Sequence, residues 1–236
     1  MRERYGIIFV HGIVGNNHIF DFLAPLVPEN YESRFINLNG HGGDALAFSR
    51  TSMAEWKAQI EAAVSEMKTR CDHILAVGHS MGSLLIMEEA TKGNLTRLFL
   101  LNPPLHISLR VSLLANIVKV AIGRTSDSVA QAAKDAYGIT LDFNPLHYYG
   151  WPSRYLELFK EIRRVRKSVL PDIHCPVRAL LSAYDEMVSP SSSKELSNIG
   201  DISIITLPES THYYYSPADR KAIMKEFEYF ITESPV

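Results

Sequence analysis

The chain has 236 residues, of which 46% are hydrophobic and 21% charged, with a formal net charge of −2. This balance is ordinary for a globular chain, the length suits a single α/β domain, and with a near-neutral charge nothing suggests a nucleic-acid partner, which would call for a basic face. The two cysteines, Cys71 and Cys175, lie far apart and outside CxxC spacing, so they read as reduced thiols and not as a disulfide framework, a redox pair or a zinc site.

At the N-terminus, MRERYGIIFVHG holds only a short apolar run before His11-Gly12. It falls below the roughly 7–15 apolar residues of a secretory signal. No stretch approaches the roughly 20 apolar residues of a spanning helix. The expectation is a cytoplasmic protein without a transmembrane segment. Strands are predicted at residues 5–10, 34–38, 73–77, 97–101, 177–182 and 202–207. Most are apolar on successive residues, as strands buried on both faces of a parallel sheet should be.

Helical patterns fall between these strands. Ser52 and Glu55 have the spacing of a capping box, and Met53, Trp56, Ile60, Ala63, Val64 and Met67 then recur on one helical face. Ser189-Pro190 and Ser216-Pro217 each read as an N-cap followed by proline at the first helical position. The last helix is expected to bury Ile223, Phe227 and Phe230. Alternation of this kind predicts a doubly wound α/β sheet. Residues 104–170 interrupt it. They carry no strand signal, and their helical patterns lie at 109–122 and 155–169. The first, with Leu109, Val111, Leu113, Leu114, Ile117, Val118 and Ile122, is broadly apolar. Such an insertion is a lid or a set of flanking helices. Its Arg163, Arg164, Arg166 and Lys167 form a basic cluster, read as a solvated helix face, with an anionic substrate or membrane surface as the sharper alternative.

The sharpest chemical signal is Gly78-His79-Ser80-Met81-Gly82, after one predicted strand and before a helical run. G-x-S-x-G in that context is a nucleophile elbow. The strained turn lifts the Ser80 hydroxyl clear of the sheet, and glycines at 78 and 82 remove Cβ atoms that would collide. The helix N-terminus then offers free N–H groups to a developing oxyanion.

A serine hydroxyl needs a base. Of nine histidines, His212 fits best, in the loop between the last strand and the last helix. His106 and His147 fall in the insertion, His174 precedes a strand, His18 and His73 look structural, and His79 adjoins the nucleophile but cannot readily meet its proton along the attack line. Asp185, at the carboxyl end of the strand at 177–182, is the expected orienting acid. Glu186 is its nearest competitor.

The ordered segments HGIVG (11–15), NGHGG (39–43), GHSMG (78–82), SAYDEMVSP (182–190) and STHYYY (210–215) together resemble the α/β-hydrolase superfamily, close to its small carboxylesterases and monoacylglycerol lipases. The resemblance covers nearly the whole chain. It implies a mostly parallel sheet of about six strands, a core of residues 1–103 and 171–236, and a helical cap over residues 104–170. It implies oxyanion N–H groups from Ile13, which follows His11-Gly12, and from Met81. His41 matches a loop-bracing position, in a segment where Asn39 replaces the family's proline. The family's initial antiparallel hairpin is missing, and Ser83 stands where many relatives carry a second glycine.

The implied chemistry is hydrolysis of a small-molecule carboxylic ester with an apolar acyl group, with no metal or cofactor. Acyl transfer to another acceptor, peptide or C–C bond hydrolysis, and a silent binding module on the same fold are the alternatives.

Overall fold

A computed structural model describes residues 3–108 and 128–232. Its six strands are β1 (Tyr5–Val10), β2 (Glu32–Ile36), β3 (His73–His79), β4 (Arg97–Leu101), β5 (Val177–Ser182) and β6 (Ile202–Leu207). All pair in parallel, in the spatial order β2-β1-β3-β4-β5-β6. The order reverses between β1 and β3. In open parallel sheets that reversal opens a crevice at the carboxyl ends of the strands.

The unbroken apolar runs follow from the strand period of two. In β1, Ile8 and Val10 point into one core while Ile7 and Phe9 point into the other. The first core is covered by α2 (Met53–Lys68) and α3 (Met81–Thr91), which follow the short α1 (Ala45–Ser49). Trp56, Ile60, Ala63, Val64 and Met67 of α2 are all buried there, on the predicted face. Ser52 caps α2 by accepting the Glu55 N–H at 3.2 Å, while the Glu55 carboxylate accepts from the Ser52 hydroxyl and not from its backbone. The capping box is therefore only half formed.

Several predicted boundaries shift; the strand expected at 73–77, for one, runs on through Gly78 and His79. The strand expected at 34–38 lies at Glu32–Ile36, because β2 is an edge strand whose register comes from β1, from Gly6 opposite Glu32 to Val10 opposite Ile36. Leu38 has left the ladder and donates its N–H to His11 Nε2 at 3.1 Å. Ser189-Pro190 opens a turn, and the helix begins later, at Ser192.

Between β4 and β5 the described chain contains α4 (Ser128–Ala136), α5 (Trp151–Arg164) and a π-helical turn at Val165–Val169. The apolar run expected at 109–122 lies outside the described residues. Leu158, Ile162, Val165 and Val169 pack into the α2–α3 core, so α5 belongs to the flanking layer. Lys57 and Arg164 bridge Glu88 and Glu161 there, joining α2, α3 and α5. Arg166 pairs with Glu195. Two of the four basic residues are thus neutralised, whereas Arg163 and Lys167 stay exposed. After β5 come α6 (Ser192–Leu196) and α7 (Pro217–Thr232). Helix α7 is capped by Ser216, which accepts the Asp219 N–H, and it covers the second core with Ile223, Phe227 and Phe230. Cys71 and Cys175 are both free thiols, the first buried and the second half-buried. Among the described residues no helix is long and apolar enough to cross a membrane.

The start of α3 is tightly packed. A Cβ on residue 82 would lie 2.0 Å from the Val10 carbonyl oxygen, and one on residue 78 would lie 2.7 Å from the Ser83 backbone. Gly82→Ala should therefore lower stability by about 1–3 kcal/mol or more, read as a drop in the urea midpoint. An unchanged midpoint would show that α3 does not approach β1 this closely. Trp56 is fully buried between His41 and Phe48. Trp56→Ala should cost about 3–5 kcal/mol in the same measurement.

Candidate active site

Ser80 follows directly on β3 and has φ 51° and ψ −123°. A non-glycine residue with positive φ stores on the order of 1–3 kcal/mol of strain. Its N–H donates to the Leu101 carbonyl at 2.9 Å, which anchors the turn to β4. Ser83 donates its hydroxyl to the Gly78 carbonyl at 2.9 Å and closes the turn from inside.

Ser80, His212 and Asp185, predicted as one group, meet here. His212 Nε2 lies 3.0 Å from Ser80 Oγ, and His212 Nδ1 lies 2.7 Å from Asp185 Oδ2. A carboxylate can only accept, so Nδ1 carries the hydrogen and Nε2 is left to accept from the serine hydroxyl. Asp185 Oδ1 is held by the N–H groups of Met187 and Val188 at 2.8 and 2.7 Å. All three residues are buried, with Ser80 at 6% exposure.

The electrostatics of the pair are reciprocal. Burial opposes charge on His212, but the charge and hydrogen bond of Asp185, together with the charge of Glu186, outweigh it and raise the imidazole above its ordinary value. Burial likewise opposes charge on Asp185, yet His212 and the two backbone N–H groups hold that carboxyl below its ordinary value.

Of the two expected oxyanion residues, one adjoins Ser80 and the other adjoins Gly12 in the chain. Met81 is the first residue of α3, where the N–H has no partner within the helix. Ile13 follows Gly12, at which a Cβ would sit 2.9 Å from Ser80 Cβ. The loop is held by two buried imidazoles. His41 Nε2 accepts the Val14 N–H at 3.1 Å, and His11 Nε2 accepts that of Leu38. Burial pushes His11 down to about 4 and His41 down to about 3. Both rings are therefore neutral at pH 7, which leaves the accepting nitrogen its lone pair. His41 braces a loop, as expected.

Three further residues in this shell carried no recognisable sequence signal for their contacts. Asn102, after β4, has φ 48° and is fully buried. Its amide oxygen accepts the Ser182 N–H at 2.8 Å, and its NH2 donates to the His212 carbonyl at 3.2 Å. His79 Nε2–H donates to the same carbonyl at 3.0 Å. Burial first, and then the neighbouring His212, push His79 down to about 3. Glu186, weighed as a rival to Asp185, instead accepts the backbone N–H of His212 at 3.1 Å. Four of the other five histidines pair elsewhere: His18 with Asp21, His73 with Glu3, His106 with Glu195 and His147 with Asp142.

The insertion is sewn to these loops. Gly138 donates to the Val14 carbonyl at 2.8 Å and accepts from Gly42 at 2.6 Å, and Asn16 Nδ2 donates to the Asp135 carbonyl at 2.8 Å. Beyond β4, the Ser108 N–H donates to the Met187 carbonyl and the Ser189 N–H to the His106 carbonyl, tying this segment to the loop that carries Asp185. Among the described residues no group of three His, Cys, Asp or Glu side chains is placed to hold a metal ion.

A thermostable monoacylglycerol lipase of Bacillus sp. (strain H-257) is 26% identical over 192 residues, which cover 80% of this chain and 73% of that protein. Among solved structures, one from a study of the metagenome-derived lipolytic enzymes LipS and LipT superposes with TM-score 0.72 at 20% identity, covering 97% of this chain and 94% of that one. The monoacylglycerol lipase of Paleococcus ferrophilus superposes with TM-score 0.70 at 17% identity, covering 97% and 95%. A model of the alpha/beta hydrolase family matches residues 7–223, from within β1 to within α7. The sheet order, the strained turn after β3 and that match agree, and the chain belongs to the alpha/beta hydrolase family.

Proposed function

We propose that this protein is a serine esterase that hydrolyses neutral carboxylic esters with an apolar acyl group, in the manner of monoacylglycerol lipases and small carboxylesterases. The observation that carries this reading is the hydrogen-bonded line from Ser80 through His212 to Asp185. The similarity to a monoacylglycerol lipase over most of the chain supports the substrate class. In this reading the insertion at 104–170 serves as a cap on a core of residues 1–103 and 171–236; support comes from residues 135–138, which bond to the loops around Ser80, while α5 packs on the flanking layer.

In the proposed reaction Ser80 Oγ bonds to the ester carbonyl carbon while its proton passes to His212 Nε2. The electron pair of the carbonyl moves onto its oxygen, which the N–H groups of Ile13 and Met81 hold. Asp185 fixes the histidine tautomer and stabilises the imidazolium. As the tetrahedral adduct collapses, the carbon–oxygen bond to the alcohol breaks and His212 returns its proton to the departing oxygen. Water then repeats the sequence, giving up a proton to His212 and freeing the acid and Ser80. These steps use only the chain's own residues.

Ser80→Ala should fold normally by circular dichroism, lose fluorophosphonate labelling and lose at least about 10⁴-fold in kcat on p-nitrophenyl esters. Labelling that persisted in this variant would remove Ser80 from the reaction. A panel of p-nitrophenyl esters, monoacylglycerols and aminopeptidase substrates separates ester cleavage from peptide cleavage, and added alcohols or amines reveal acyl transfer. The base must be neutral to accept a proton. Because the surroundings of His212 favour its cation, kcat/KM should fall on acidification with a midpoint above the ordinary imidazole value of about 6.5. A midpoint below that value would contradict the assignment of His212.

A further inference from the structure

We infer that Glu186 is a positioning residue that holds the peptide of His212 and sets a second carboxylate beside this histidine. The inference rests on the reading of Ser80, His212 and Asp185 as a triad. Glu186 is adjacent to Asp185 in sequence but turns to a different part of the same histidine. Asp185 takes the ring N–H, whereas Glu186 Oε2 takes the backbone N–H at 3.1 Å. The carbonyl of His212 is gripped by His79 and Asn102. The residue is thus clamped at both backbone polar groups and at both ring nitrogens.

Glu186 is 3% exposed. Burying a carboxylate is expensive unless its charge is matched. A glutamine oxygen would accept the same N–H, so the hydrogen bond alone gives no reason for an acid here. What glutamate adds is a second negative charge beside Asp185. The groups facing His212 are Asp185 and Glu186 from the loop after β5, His79 at the end of β3, the Ser80 hydroxyl, and Tyr213 packed edge-on to its ring at 4.7 Å. His79 is held neutral by burial and by His212 itself. Tyr213 is held in its neutral phenol form, chiefly by burial and then by the neighbouring Tyr155, Glu186 and Asp185. The two carboxylates are therefore the only charges among these described groups around His212, one on its ring and one on its backbone N–H. Both strengthen as partners when His212 takes the serine proton and becomes a cation. The cost is a higher pH requirement for the resting base.

The test is the pH profile of kcat/KM in Glu186→Gln, which keeps the acceptor and removes the charge. Its acid midpoint should move down by about one pH unit, with the urea midpoint and Ser80 labelling retained. Glu186→Ala should show the same shift and also a slower plateau, since the peptide of His212 is no longer pinned. An unmoved or upward-moving midpoint in folded Glu186→Gln overturns the inference. An NMR titration of His212 in the Ser80→Ala background, with and without Glu186→Gln, reads the same shift without turnover. Absence of labelling in the unsubstituted protein would fall on the triad reading, and the NMR shift would still decide the role of Glu186.

Discussion

The close approach of α3 to the end of β1 is the constraint on which the site depends. Gly82 lies where any Cβ would collide with the Val10 carbonyl, so the helix can start immediately beyond the strand. That start forces Ser80 into a positive-φ turn, and the turn brings its hydroxyl beside the loop that leaves β1. The proposed nucleophile and one proposed oxyanion donor, Met81, then belong to a single rigid joint. The second donor, Ile13, is delivered by the neighbouring strand. Geometry built on strand ends and a helix start is more exact than geometry built on loops, and here the strain is held by two packed layers.

The histidine loop is the opposite case. His212 comes from a connection without regular structure, between β6 and α7. Its position is set by polar contacts, not by a helix or strand. Asn102 and His79 hold its carbonyl while Glu186 holds its N–H. Each contact comes from the carboxyl end of a different strand, β4, β3 and β5 respectively. The parallel sheet acts as a frame that gathers these ends along one edge. The buried polar network is satisfied from several sides, which rigidifies such clusters and makes each member depend on the others.

The neutral histidines extend the same logic. His11 and His41 each accept a backbone N–H, which an imidazolium could not do. Burial keeps them neutral, so desolvation that looks unfavourable for a titratable group is what makes these rings usable as braces. The described part of the insertion is tied to the same loops. Its Gly138 bonds both to the loop after β1 and to the NGHGG loop, while α5 is packed and ion-paired onto the flanking layer.

The amino-acid order alone determined the strands, the buried face of α2, the elbow at Ser80 and the pairing of that residue with His212 and Asp185. These features are legible because they rest on local periodicity and on motifs whose chemistry restricts residue type. The register of β2 was not legible, because an edge strand takes its alignment from its neighbour. The start of the helix after Ser189-Pro190 was not legible, because a turn and an N-cap share the same residues. The roles of Asn102, His79, Ser83 and Glu186 were decided only in the folded chain. Each makes a hydrogen bond to a backbone group that no local pattern announces, and such bonds exist only once the sheet has brought distant strand ends together.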